Sequence, residues 1–251
     1  MPSTARPKTQ PRTPLTRPRA LSTAIALADA HGIGWLTMRR LAEALSVEAM
    51  SLYHHIANKD DILDGMVEIV FSEIDLPRDD TDWKTAMHQR AGSVRAALTR
   101  HPWAISIMES RTSPGPATLR HHDAMIGCCR RAGLSIEMAA HAFSLIDSYI
   151  YGFVLQEVNL PFDNADDLER VVETIMPYIS ADDYPNLVEL TTRHVLQPGY
   201  TYGDEFDFGI SLILNGLAAA ARGTHAPQIE APRRLPDNNG PVLDGACEDD
   251  T

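Results

Sequence analysis

Apolar side chains recur at helical spacing along most of this 251-residue chain, and strand alternation is nowhere sustained. Such a chain must bury helix against helix, so an all-α fold is expected. The most constrained stretch is residues 36–63. Thr37 offers a hydroxyl to the open amides of a first helical turn. Leu41, Ala44 and Leu45 then share one face, and Ser46 falls where the chain must turn. Val47, Met50, Leu52 and Ile56 supply inward contacts for the next helix. Asn58 caps a third helix, with Asp61 three residues on as a short capping box.

The outward set is Ala49, Ser51, Tyr53 and His54, with no charge between Glu48 and Lys59. Small, hydroxylated and aromatic side chains let a helix sit deep in a groove and reach base edges or phosphates. Two short helices, a tight turn and a third helix make the layout of a helix-turn-helix, whose second helix enters the DNA major groove. The stretch resembles the DNA-binding domain of the TetR family. The likeness rests on a preceding helix (18–31, then Gly32), Thr37-x-Arg39-x-Leu41-Ala42, Leu52-Tyr53-x-His55 and Asn58-Lys59. It implies that Arg39 contacts DNA from the first motif helix and that Ala49, Met50 and Ser51 face the bases. It also implies that Tyr53 and His54 contact phosphates and bases, and that Lys59 meets the backbone. Ser46 stands where the family often has Gly, so a left-handed serine is expected there.

The formal net charge is −12, yet through residue 60 eight basic side chains face only four acidic ones. A basic N-terminal part on an acidic body is the footprint of a DNA-reading head on a domain that avoids DNA. Residues 1–15 read as a disordered basic arm, 16–75 as the head, 76–222 as a ligand-binding and dimerisation domain, and 223–251 as a disordered tail. The arm lacks the apolar core of a secretory signal. No stretch reads as a membrane span, and no membrane partner is expected. Cys128, Cys129 and Cys247 form neither a disulfide framework nor a zinc spacing, which suits a reducing cytoplasm. A thiol switch at Cys128 or Cys129 would need an exposed, low-pKa setting.

In the body, helices are expected near 60–74, 83–100, 103–109, 116–132, 136–158, 165–179, 183–195 and 205–222. Those at 136–158 and 205–222 are apolar on more than one face, so one side is expected against a second subunit. The twofold interface is expected to include Tyr149, Gly152, Gly209, Ile213, Gly216 and Ala220. His101-Pro102-Trp103, Gly115-Pro116, Ala132-Gly133-Leu134-Ser135, Ser148-Tyr149 through Glu157 and Phe206 through Leu217 resemble the tetracycline-repressor-type C-terminal domain. The resemblance implies a homodimer binding double-stranded operator DNA and a small-molecule effector. Candidate effector contacts are Trp103, Ile107 and Met108, then His122, Met125 and Ile126, then Phe143, Asp147 and Gln156.

The tetracycline repressor holds a drug–magnesium complex through a histidine on its short helix and a glutamate on its long one. Here the short helix 103–109 has no histidine and the glutamate position reads Gln156, so another, apolar effector is expected. No metal or cofactor is called for. Repression is the family's commoner mode, and activation is its alternative. The rival class is a metal-binding helical-bundle enzyme, using Glu137 with His141 or His121 with His122, but no Glu-x-x-His pair occurs at the spacing such sites use.

Overall fold

The computed structural model describes residues 14–162 and 164–223; the expected arm and tail fall almost wholly outside them. Among the described residues every regular element is helical. The head comprises α1 (Arg17–His31), α2 (Met38–Leu45), α3 (Ala49–Leu52) and α4 (Lys59–Ser72). The body comprises α5 (Trp83–Arg100), α6 (Ile105–Met108), α7 (Pro116–Arg131), α8 (Ile136–Glu157), α9 (Ala165–Ile175), α10 (Pro185–Leu190) and α11 (Tyr202–Ala221). The expected 183–195 helix breaks into α10 and a wider turn over 191–195, closed by the Leu196 amide on the Thr191 carbonyl at 2.9 Å.

Helix starts follow their capping side chains. Thr37 accepts from the Arg40 amide at 3.2 Å, Asn58 from the Asp61 amide at 2.9 Å, and Ser135 from the Met138 amide at 3.2 Å. The Asp61 carboxylate reaches back to accept from the Ala57 amide, one residue before the cap, at 2.9 Å. It also pairs with Arg17 at 2.7 Å, which ties α1 to α4. Ser46 is left-handed at φ 56°, as expected. The Val47 amide reaches the Ala42 carbonyl and the Ser46 amide reaches Glu43, so the turn closes α2 by the usual double C-cap bonds.

The core runs from head to body without a break. Ile25, Leu36, Leu41, Leu52, Ile56 and Met66 fill the head, and Met87, Leu98, Met125, Ile146, Ile150 and Phe206 the body. Two inward expectations are corrected. Ala42 is buried and Ala44 exposed: the face of Leu41 and Leu45 takes in Ala42 at its edge rather than Ala44. Met50 is 73% exposed rather than inward, since the next helix spans only four residues and anchors by Leu52. The reading that no stretch suits a membrane is also corrected: α8 is long and apolar enough by length and composition. Its apolar character serves packing, since Ala142, Ile146, Ile150 and Val154 are buried among α5, α7 and α11.

Candidate functional site

The turn and α3 display Ala49, Met50, Tyr53, His54 and His55 to solvent, while Ser51 is half-covered. Leu52 and Ile56 hold this surface from beneath at 0% and 2% exposure. Lys59 stands exposed at the start of α4. Arg39 is exposed but leans on Glu43, 2.9 Å away along α2. Arg40, which the sequence reading did not single out, lies over the Trp35 ring at 4.1 Å and donates to the Trp35 carbonyl. Of the seven expected DNA-contacting residues, six are exposed and Ser51 is half-covered.

Polar ties join this head to the body. Asp29 of α1 accepts from Trp103 Nε1 at 2.6 Å and lies 2.8 Å from His101 Nδ1. His101 Nε2 and Arg100 both meet Glu73, just past α4. Arg111 bonds Asp64 at 2.6 Å and Asp60 at 3.2 Å. Further along α4, Glu68 caps α7: it accepts from the amides of Ala117 (2.7 Å) and Thr118 (3.0 Å) and from the Thr118 hydroxyl (2.6 Å). A carboxylate there suits the positive end of a helix. Gly115 makes room for it, since a Cβ would meet Glu68 Cδ at 2.3 Å.

Burial pushes the Glu68 carboxyl up, but the Thr118 hydroxyl and the α7 amides outweigh it and hold the group below the ordinary glutamate value. This contribution is present above that ordinary value and is lost on acidification through the lowered one. Glu68→Gln is expected to cost about 1.5 kcal/mol at neutral pH. It should also flatten the acid loss of stability, since Gln does not titrate. Denaturant midpoints at pH 7 and pH 4 check this; equal losses in both proteins would refute it.

Beside the clamp lies a cavity of about 190 Å³, lined by Asp64, Val67, Glu68 and Phe71 of α4, Met108, Glu109, Arg111, the 113–115 turn, and Thr118 and His122 of α7. Of the nine expected effector contacts, Met108 and His122 are on its wall. Phe143 stands behind His122, edge-on at 5.0 Å. Ile107 and Met125 are buried and Ile126 is half-buried. Trp103 is occupied with Asp29, and Asp147 forms a buried pair with Arg90 at 3.0 Å. Gln156 is exposed and accepts from the Tyr202 hydroxyl at 3.0 Å. Sequence reasoning missed Glu68, Arg111 and Thr118: their partners lie 47–50 positions away, and no spacing rule reports that. A larger space of about 590 Å³ lies at the other end, among Arg95, Glu157, Phe162, Tyr200 and Tyr202.

Expected interface residues divide into three groups. Tyr149 and Gly209 meet inside the chain: the Tyr149 hydroxyl donates to the Glu205 carbonyl at 3.0 Å, and a Cβ on Gly209 would lie 2.1 Å from it. Ile213 and Ala220 are half-buried. Gly152 and Gly216 face open space. Near them Leu145 and Leu155 of α8 and Phe208 and Leu212 of α11 stand exposed, an apolar surface the sequence reading only partly named. Cys128 and Cys129 are buried, and burial pushes both thiols up, that of Cys129 to about 11, away from the exposed, low-pKa setting a thiol switch needs. Glu137 and His141 stay at the surface while His121 turns into the core.

Two family models match the chain. Residues 20–66 match that of bacterial regulatory proteins of the tetR family, and 76–221 match the tetracyclin repressor-like C-terminal domain. The transcriptional repressor DrrR1 of Streptomyces coeruleorubidus is 29% identical over 237 residues, covering 88% of this chain and 85% of its own. The class C tetracycline repressor protein of Escherichia coli is 31% identical over 206 residues, covering 81% and 90%. The crystal structure of Streptomyces coelicolor ActR with actinorhodin superposes with a TM-score of 0.69 at 27% identity, covering 83% of this chain and 98% of that one. Helix-turn-helix head, helical body and both model matches agree, and the chain belongs to the TetR family of ligand-responsive transcriptional repressors.

Proposed function

We propose that two copies of this chain form a twofold repressor that leaves its operator when a small molecule occupies the cavity between α4, α6 and α7. One observation carries the reading: Glu68 and Asp64, on the helix that continues into the DNA-reading head, line that cavity. An occupant competing with the Glu68–α7 clamp or the Arg111–Asp64 pair biases the angle of α4, and so the separation of the two heads. This is a population shift, and it requires the ligand to prefer the DNA-incompetent arrangement. The exposed apolar faces of α8 and α11 supply the dimer contact, with Gly152 and Gly216 permitting close approach. Two heads so joined reach successive major grooves about 34 Å apart. The relative ActR was crystallised with actinorhodin. The absence of a histidine on α6 and the outward Gln156 argue against a magnesium–tetracycline complex here. A DNA-bound regulator of this kind works in the cytoplasm.

Fluorescence anisotropy on DNA from just upstream of the chain's own gene, against a scrambled duplex over a salt series, tests the reading. Specific, salt-dependent binding of two chains per duplex supports it; equal weak binding to both duplexes refutes it. Tyr53→Ala and Lys59→Ala are each expected to weaken binding about tenfold, and Lys59→Ala to lower the salt slope by about one. Unchanged affinity in both would remove these residues from the interface.

A further inference from the structure

The larger cavity, of about 590 Å³, lies between the last turns of α5 and α8, the connection that follows α8, α9 and the start of α11. That volume falls within the range of sites for drug-sized ligands, about 300–1,000 Å³. Val158, Leu160, Phe162 and Leu168 give the wall its apolar part, and Leu168 is buried there at 8% exposure. Tyr200 and Tyr202 add two rings, and Tyr202 is stacked on Phe153 with centroids 4.9 Å apart.

Among the described residues, the charged side chains on this wall are Arg95 and Glu157, and they answer each other. Arg95 Nε donates to one Glu157 oxygen at 2.9 Å and Nη2 donates to the other. Nη1 donates to the Gly203 carbonyl at 3.3 Å. Gly203 leaves room for the guanidinium, since a Cβ there would lie 2.8 Å from Nη2. The guanidinium carbon also lies 4.9 Å from the Phe206 ring centre and 5.2 Å from that of Phe153, so rings as well as the ion pair fix its place. Burial and neighbouring carboxylates push the Tyr200 and Tyr202 phenols up, so both stay neutral. The Tyr202 hydroxyl is spent on Gln156. The Tyr200 hydroxyl has no protein partner among the described residues, and the Thr201 hydroxyl caps nothing in α11.

We propose that this cavity is a small-molecule site separate from the one beside the Glu68 clamp, and that it takes an uncharged, flat aromatic compound carrying a hydroxyl or carbonyl oxygen. The apolar wall and its rings suit a flat ring system. An ionised ligand would shed water and find the opposite wall charge already engaged by its partner. A neutral oxygen meets the Tyr200 or the Thr201 hydroxyl without that cost. Glu157 ends α8 and Gly203 lies in the first turn of α11, so an occupant would act on the two helices proposed for the dimer contact rather than on α4.

Equilibrium dialysis of the full chain at pH 7 against 2-naphthol, 2-naphthoate and 1-methylquinolinium tests this with two-ring probes that are neutral, anionic and cationic. The Kd for 2-naphthol should lie at least about tenfold below the other two. Thr99→Trp, at an exposed α5 position on the wall, should fill part of the space and weaken 2-naphthol at least about tenfold, with circular dichroism unchanged. Glu157→Gln leaves Arg95 unmatched and should turn the preference to 2-naphthoate. Arg95→Gln leaves Glu157 unmatched and should turn it to 1-methylquinolinium. The two side chains are 23% and 20% exposed, and either substitution decides the point if the other does not fold. Undiminished 2-naphthol binding in Thr99→Trp places the ligand elsewhere and overturns the proposal. So do equal affinities for the three probes, binding of none of them, or a preference that neither charge substitution moves. Operator binding is a separate matter, and these outcomes leave the regulator reading where it stands.

Discussion

Phe208→Asp combined with Leu212→Asp is expected to split the dimer and lower operator affinity by two to four orders of magnitude. Both side chains stand out from α11, 70% and 63% exposed, so aspartate there disturbs nothing inside the chain. In the proposed dimer the same positions would be enclosed, and four unpaired carboxylates around a twofold axis would each need to shed water. Each head alone makes a short contact with one half-site. The second half-site binds cheaply only because the first holds it near, and that gain is about 10²–10⁴. Sedimentation should report one chain's mass, circular dichroism an unchanged helix content, and anisotropy the loss of tight binding. A dimer that persists would move the interface elsewhere. A monomer that keeps full affinity would remove the twofold logic from the operator.

The head was legible because its structure is local. Thr37, Ser46 and Asn58 act within three or four residues of themselves, and a spacing pattern captures that range. Met50 was assigned both inward and outward roles because a four-residue helix is too short for periodicity to choose a face. The long body helices were equally legible as helices. Their faces were not, because a helix apolar all round gives no phase. Phe208 and Ile210 read alike in the sequence, yet one is exposed and the other buried. Gly209, read as a close-approach point between subunits, receives the Tyr149 ring of its own chain. The cavity was the least legible part. Its polar wall consists of charges answering charges on distant helices, Arg111 to Asp64 and Glu68 to the α7 amides, and only the tertiary fold brings these together. An apolar pocket was expected from Trp103, Ile107 and Met125, but close packing uses those side chains as core.

Arg90→Ala is expected to destabilise the body by about 3–5 kcal/mol, the largest single effect on folding. The guanidinium and its partner Asp147 are 2% and 8% exposed at the side chain, so removing one leaves a charge that water cannot reach. Replacing the pair together, Arg90→Met with Asp147→Leu, removes both charges and fills similar volume, so stability should return to within about 1 kcal/mol of the parent or exceed it. Urea denaturation of the two single variants and the double variant completes the cycle; a loss under 1 kcal/mol for Arg90→Ala would mean that water reaches the pair. If the double variant is as stable as expected, the buried pair is not needed for the stability of the bundle.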